Sequence, residues 1–209
     1  MVIGNQATVL VGTGDREKPS AESVAARVKN RFYGIRDNFT AVSSVTAVVG
    51  YDTGGTEPSS LLNVTSSTGL AATALTGKQG WFRDLSTTST PYEQVVTTPL
   101  TLGGVTYFNT YQAKASGTNQ CSNLGTGRAY QIDFQTGSAL ADAPLVTVFE
   151  SEGIPPSPVG GVVVIGDGSS QRSVPFIIGG PGATPISPKR VTPSVRANRK
   201  PLYRFQRID

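Results

Sequence analysis

The 209-residue sequence predicts an all-β chain. The expected architecture is a portion of a β-propeller, about three to four blades of four-stranded antiparallel sheet, with an extended basic C-terminal tail. Three observations carry that prediction. Gly (24) and Pro (14) are abundant and charged residues make up only 15%, a composition that favours short strands joined by turns. Short runs of alternating or continuously apolar residues recur along the chain. Finally, Asp37, Asp84 and Asp133 end three of these runs at intervals of 47 and 49 residues, each after an aromatic residue: Tyr33, Phe82 and Tyr130. A repeat of roughly 40–50 residues holding about four short strands is the pattern of propeller blades. Blades are therefore assigned to residues 1–183 and a Pro-rich basic arm to residues 184–209.

The elements follow in order. ATVLVGT (Ala7–Thr13) is continuously apolar, as expected of an inner strand buried on both faces. SAESVAARVKN (Ser20–Asn30) reads as one short helix with Ser20 as its N-cap. RFYGIRD (Arg31–Asp37) is a strand with Tyr33 and Ile35 on one face, and GWFRDL (Gly80–Leu85) is another. Gln94–Gln112 holds two strands hinged at Gly103-Gly104, a pair that accepts the positive φ of a tight hairpin. RAYQIDF (Arg128–Phe134) places Tyr130, Ile132 and Phe134 on one face and closes in a turn with Gly137 where φ is positive. LVTVFE (Leu145–Glu150), GVVVIG (Gly161–Gly166) and SVPFIIG (Ser173–Gly179) complete the strands.

Composition excludes several chemistries. The chain has no histidine and one cysteine, Cys121. A Ser-His-Asp triad, a Cys-His pair, a Cys/His zinc site and an internal disulfide are all impossible within it. The net charge of +4 is concentrated: seven of the 18 basic residues follow Pro188, leaving 11 against 13 of the 14 acids before it. No window is apolar for the roughly 18 residues that a membrane-spanning helix requires. The opening MVIGNQATVL lacks the charged start and apolar core of a signal peptide.

Each candidate motif has a plainer reading. GTGDREKP carries Gly12 and Gly14 but neither the third glycine of G-x-G-x-x-G nor the Gly-Lys-Ser/Thr of a P-loop, so the glycines are expected to allow a tight strand exit. Asp133 of Tyr130-x-Ile132-Asp133-x-x-Thr136-Gly137 is expected to bond backbone N–H groups of the following turn rather than to act as a catalyst. YDTGGTEPSS, with Asp52 and Glu57, and IGDGSS, with Asp167, lack the alternating oxygen ligands of a calcium loop. No catalytic, cofactor-binding or metal-binding residue is assigned. Trp81 is expected to pack between blades, and the prolines of Gly153–Gly161 to stiffen a connector. Nucleic acid is not an expected partner. Tyr51-Asp52 and Tyr92-Glu93 are the candidates for a carbohydrate contact.

The ordered set GTGDRE, NRFY, GW-x-x-DL and Y-x-I-D-x-x-TG, together with EQVVTTPLTLGGVTYFNTYQ and NQCS, resembles the C-terminal β-propeller of PilY-type proteins over about Thr8 to Ile178. These are type IV pilus biogenesis factors and tip-associated adhesins with a quinoprotein-like propeller. The resemblance implies a non-enzymatic role in pilus biogenesis and adhesion. The implied place is the bacterial cell surface, at the pilus tip or secreted. The implied partners are minor pilins, the rest of a PilY-like chain, and a host surface ligand. The family's Asp-rich calcium loop is not matched, so no cofactor is carried over. Its secretion signal and N-terminal region are not matched either, and the chain is read as the last blades of a longer protein. The alternative is a carbohydrate- or cofactor-binding propeller module of a secreted bacterial protein.

Overall fold

The computed structural model describes residues 2–3, 6–38, 60–86, 90–115, 124–167, 170–182 and 188–191. The described chain is all-β, with thirteen strands in three sheets. The first sheet comprises β1 (Val2–Ile3), β2 (Gln6–Gly12), β3 (Arg31–Asn38), β4 (Leu61–Asn63) and β5 (Gly80–Asp84), in the order β1-β2-β3-β5-β4. The second runs β10-β9-β8-β6, from β6 (Gln94–Val95), β8 (Val105–Gln112), β9 (Thr126–Asp133) and β10 (Val146–Glu152), with β7 (Leu100–Leu102) also paired to β8. The third is β11 (Val159–Ile165), β12 (Arg172–Ile178) and β13 (Lys189–Arg190), in that order.

The sheets thus hold five, five and three strands, and β4 runs parallel to β5. The second sheet is the expected unit of four antiparallel strands, because β6 and β7 pair with successive stretches of one edge of β8 while β9 and β10 follow on the other; the first and third sheets depart from it. The Asp spacing also does not mark equivalent positions. Asp37 and Asp84 lie on β3 and β5, antiparallel neighbours in one sheet, so that 47-residue interval is a return within a sheet.

Strand β8 sits at the centre of a three-layer stack. Its pleat sends alternate side chains to opposite faces. Phe108 and Thr110 face the first sheet, while Val105, Tyr107 and Asn109 face the third. Nearly every residue of β8 is buried because both faces are covered. The hairpin at its start forms as expected: Leu102 pairs with Val105, and Gly103 and Gly104 take φ of 64° and 85°. That turn twists with the strands and suits glycine at both central positions.

The core lies between the first two sheets. Phe32 of β3, Trp81 of β5, Phe108 of β8 and Tyr130 of β9 are buried there with Val64, Leu75, Leu85, Val95 and Ile132. Tyr33 and Ile35 share the opposite face of β3 and pack on Leu61 and Phe82. A smaller cluster joins Val105 and Tyr107 to Ile177 and Val191 of the third sheet.

Two sequence expectations are corrected. The run at Ala7–Thr13 is not buried on both faces: Val9 and Val11 are exposed, because only the Leu10 face of β2 meets the core. The helix is a single turn, α1 (Val24–Arg27), capped by Ser23, whose hydroxyl accepts from the Ala26 N–H at 3.2 Å. Ser20 lies one turn earlier, where its carbonyl accepts from the Ser23 N–H. Ser23 wins as cap because the residues after it, Val-Ala-Ala-Arg, carry helical backbone only until Val28 turns extended to enter β3. Within the basic tail, Lys189 and Arg190 form β13 against β12, and Val191 is buried in the core cluster shared with Ile177. Residues 192–209 lie outside the described residues.

Candidate functional site

The glycines of GTGDRE serve close packing, as the sequence suggests. A Cβ on Gly12 would stand 2.5 Å from Cγ1 of Val95, and one on Gly14 would stand 2.7 Å from the Val95 carbonyl oxygen. The exit of β2 therefore lies directly on β6. Asp15 then anchors the loop: its N–H donates to Gln94 Oε1 at 2.9 Å, and its Oδ1 accepts from the Glu17 and Lys18 N–H groups, both at 3.0 Å. The N–H groups of Thr13, Asp15, Glu17 and Lys18 are thus taken by acceptors of the chain itself.

Asp133 takes the expected turn role. Its Oδ1 accepts from the Gln135 N–H at 3.0 Å, and from the Thr136 N–H and Thr136 Oγ1, each at 2.9 Å. Gly137 has φ of 66°, and its N–H donates to the Asp133 carbonyl. Trp81 lies in the core between the first two sheets. It is wedged between two glycines: a Cβ on Gly34 would stand 2.3 Å from Cε2 of the indole, and one on Gly137 would stand 2.3 Å from Cδ2. Any side chain at either position fills the space the indole occupies.

Two charged groups prove to be buried, Arg83, which the sequence reading did not single out, and Glu93, which it offered as a carbohydrate contact. The first is Arg83, 1% exposed on β5. Its guanidinium donates to the carbonyls of Gly137 (3.1 Å), Thr65 (2.7 Å), Val64 (2.7 Å) and Ser67 (3.4 Å). Burial pulls it down to about 10 from its ordinary 12.5. Backbone carbonyls, rather than a carboxylate, satisfy the donor fork of this cation. It ties β5, the loop after β4 and the turn after β9 into one unit.

The second is Glu93, just before β6 and also 1% exposed. Its carboxylate accepts from Thr110 Oγ1 and, at 2.7 Å, from Ser86 Oγ, and lies 3.9 Å from Arg128 Nη1. The Glu93 carbonyl accepts from Asn30 Nδ2 at 3.0 Å. The Tyr130 hydroxyl accepts from the Ser86 N–H at 3.0 Å. Burial first, and the nearby Glu93 charge second, raise that phenol above its ordinary range. Glu93 is therefore withdrawn as a carbohydrate contact: two hydroxyls and an arginine hold it inside the seam. A Glu-x₁₆-Thr pairing across a hairpin leaves no local signal, which is why the sequence alone did not expose it.

A third ion cluster sits at the surface. Asp84 accepts from Arg31 Nε at 2.7 Å and pairs with Lys29 Nζ at 2.8 Å. Burial works to raise its carboxyl, and Lys29 and Arg31 outweigh it, holding the group below its usual value. The Arg31 guanidinium also lies 4.6 Å from the centre of the Phe82 ring.

The Pro-rich connector from Gly153 to Gly161 is fixed by Asn109, whose Nδ2 donates to the carbonyls of Pro156 (2.7 Å) and Gly179 (2.5 Å). Tyr51, Asp52, Glu57 and Cys121 lie outside the described residues. Among the described residues, no group of three or more His, Cys, Asp or Glu side chains comes together as metal ligands, and no helix is long and apolar enough to cross a membrane.

No family model matches the chain, and no curated protein matches it. Among solved structures it is similar to the C-terminal domain of Pseudomonas aeruginosa PilY1, with a TM-score of 0.44 and 15% sequence identity, over 81% of this chain and 39% of that one.

Proposed function

We infer that this chain is a non-enzymatic, pilus-related scaffold of the bacterial cell surface, a rigid platform for minor pilins or for a host surface. One observation supports the reading above the others. The four dispersed motifs that carry the resemblance to PilY-type proteins build a single seam between the first two sheets. Gly12 and Gly14 lie on Val95, and Phe32 and Trp81 enter the shared core with Tyr130 and Ile132. Asp133 and Gly137 close the turn on which Trp81 and Arg83 rest. Their spacing in the sequence is thus the spacing a common framework requires. The charged groups of this seam, Arg83 and Glu93, are spent on internal bonds, as a platform needs and as a catalyst does not. The partner contacts then belong to loops and sheet surfaces.

The test is a pull-down of the tagged chain from a type IV piliated bacterium, read by mass spectrometry. Enrichment of minor pilins or of a PilY-like segment is the expected result. Recovery of neither, from a soluble and folded bait, overturns the pilus-related reading.

A further inference from the structure

The β11–β12 hairpin projects from the stack with an unprotected edge. Its base is pinned: a Cβ on Gly160 would stand 2.8 Å from Cδ2 of Leu100, and Ile177 of β12 is 1% exposed. Beyond that base both faces of β11 meet solvent. Val159 (64%), Val163 (44%) and Ile165 (46%) are exposed on one face, and Val162 (57%) and Val164 (58%) on the other. The strand pairs with β12 along one side only, so its other side presents unpaired backbone groups among the described residues.

The two edges of this sheet are guarded differently. At the far edge β13 is two residues long and carries Lys189 and Arg190, both exposed. Short length and charge are how natural sheets prevent edge pairing. Strand β11 has seven residues, Val-Gly-Gly-Val-Val-Val-Ile, with no charge and no proline. An uncharged strand can face its own copy antiparallel without setting like charges opposite one another.

We propose that β11 pairs antiparallel with β11 of a second copy of this chain, across a two-fold axis, joining two three-stranded sheets into one of six strands. A two-fold contact uses the same patch on both copies, and it closes. A head-to-tail contact would set β11 against the charged edge of β13. Edge pairing is held by backbone hydrogen bonds and covers only the flanks of the exposed aliphatic side chains of β11, an area below the roughly 1,000 Å² of a stable specific interface. The dimer is accordingly concentration-dependent. This proposal is independent of the pilus-related reading.

Sedimentation of the full chain over a wide concentration range tests it. The expected result is a monomer that becomes a dimer, and nothing larger, as concentration rises. The double substitution Val163→Lys with Val164→Lys places a charge on each face of the edge and is expected to leave a folded monomer at every concentration. Val9→Lys with Val11→Lys, on the exposed face of β2, is expected to leave the dimer intact. Amide exchange of the unmodified chain adds a readout that needs no variant: β11 amides gain protection as concentration rises. A monomer throughout, open-ended assembly, a dimer unaffected by the β11 lysines, or β11 exchange independent of concentration would each overturn the proposal.

Discussion

The rings of Phe32 and Phe108 lie parallel, 1° apart in tilt, with centroids separated by 3.8 Å. One belongs to β3 of the first sheet and the other to β8 of the second. Tyr130 continues the stack from Phe108 at 4.8 Å, and Trp81 flanks Phe32 at 6.1 Å. This row of four rings is the join between the two sheets. Aromatic contacts of this kind add about 0.5–1.5 kcal/mol to the apolar area they bury.

Phe108→Ala is expected to destabilise the chain by about 3–5 kcal/mol, since the cavity would open where two sheets meet and neither can close alone. Urea unfolding measures it. A loss below about 1 kcal/mol would mean the sheets are held mainly elsewhere.

Gly34→Ala tests the wedge around Trp81. The added methyl group would overlap the indole, at 2.3 Å from Cε2. A cost of about 1–3 kcal/mol is expected from the forced shift. Trp81 is the chain's single tryptophan, so its fluorescence reports the displacement directly. An unchanged emission spectrum with unchanged stability would place the indole elsewhere.

Arg83→Met keeps the length of the side chain and removes its donors. The carbonyls of Gly137, Val64, Thr65 and Ser67 lose this partner, and each buried acceptor left unpaired costs about 1–3 kcal/mol. Arg83→Lys is expected to recover only part, because three donors on one nitrogen cannot span the fork. A stable, fully folded methionine variant would contradict the tying role given to Arg83.

Acid should weaken the fold through Asp84. Its folded value lies below the ordinary 3.8, so its contribution is present above pH 3.8 and is lost as pH falls through the folded value. Asp84→Asn is expected to flatten that part of the stability profile. Parallel profiles for the two proteins would assign the acid sensitivity to other carboxylates.

Alkali acts through the buried phenols: burial raises Tyr130 and Tyr111 above their ordinary range and pushes Tyr107 up from 10.0 to about 12. Between those values the unfolded chain ionises the phenol and the folded chain does not, so stability falls as pH rises, by at most about 1.4 kcal/mol per pH unit. Tyr107→Phe should therefore lose less stability than the parent between pH 10 and 12. An equal loss would show that Tyr107 is not the group responsible.

Local chemistry made much of this protein readable in advance. The all-β class, the Gly103-Gly104 hairpin, the Asp133 turn and the Tyr130–Ile132 face all depend on neighbours within a few residues, where pleat and turn geometry leave few choices. The pairing of sheets was decided by contacts far apart in the chain. The 47-residue Asp interval suggests a repeat, yet β3 and β5 turn out to be partners, because Gly34 opens the space that Trp81 fills opposite it. Val9 and Val11 read as core and are exposed, since burial on both faces requires a third layer, and that layer covers β8 instead. Glu93 read as a surface acid and is enclosed by Thr110 and Arg128, brought to it when β6, β8 and β9 pair, and by Ser86, brought to it when that sheet stacks on the first. A buried charge is tolerated where its partners assemble around it, and that assembly is a property of the packed chain and of no single segment.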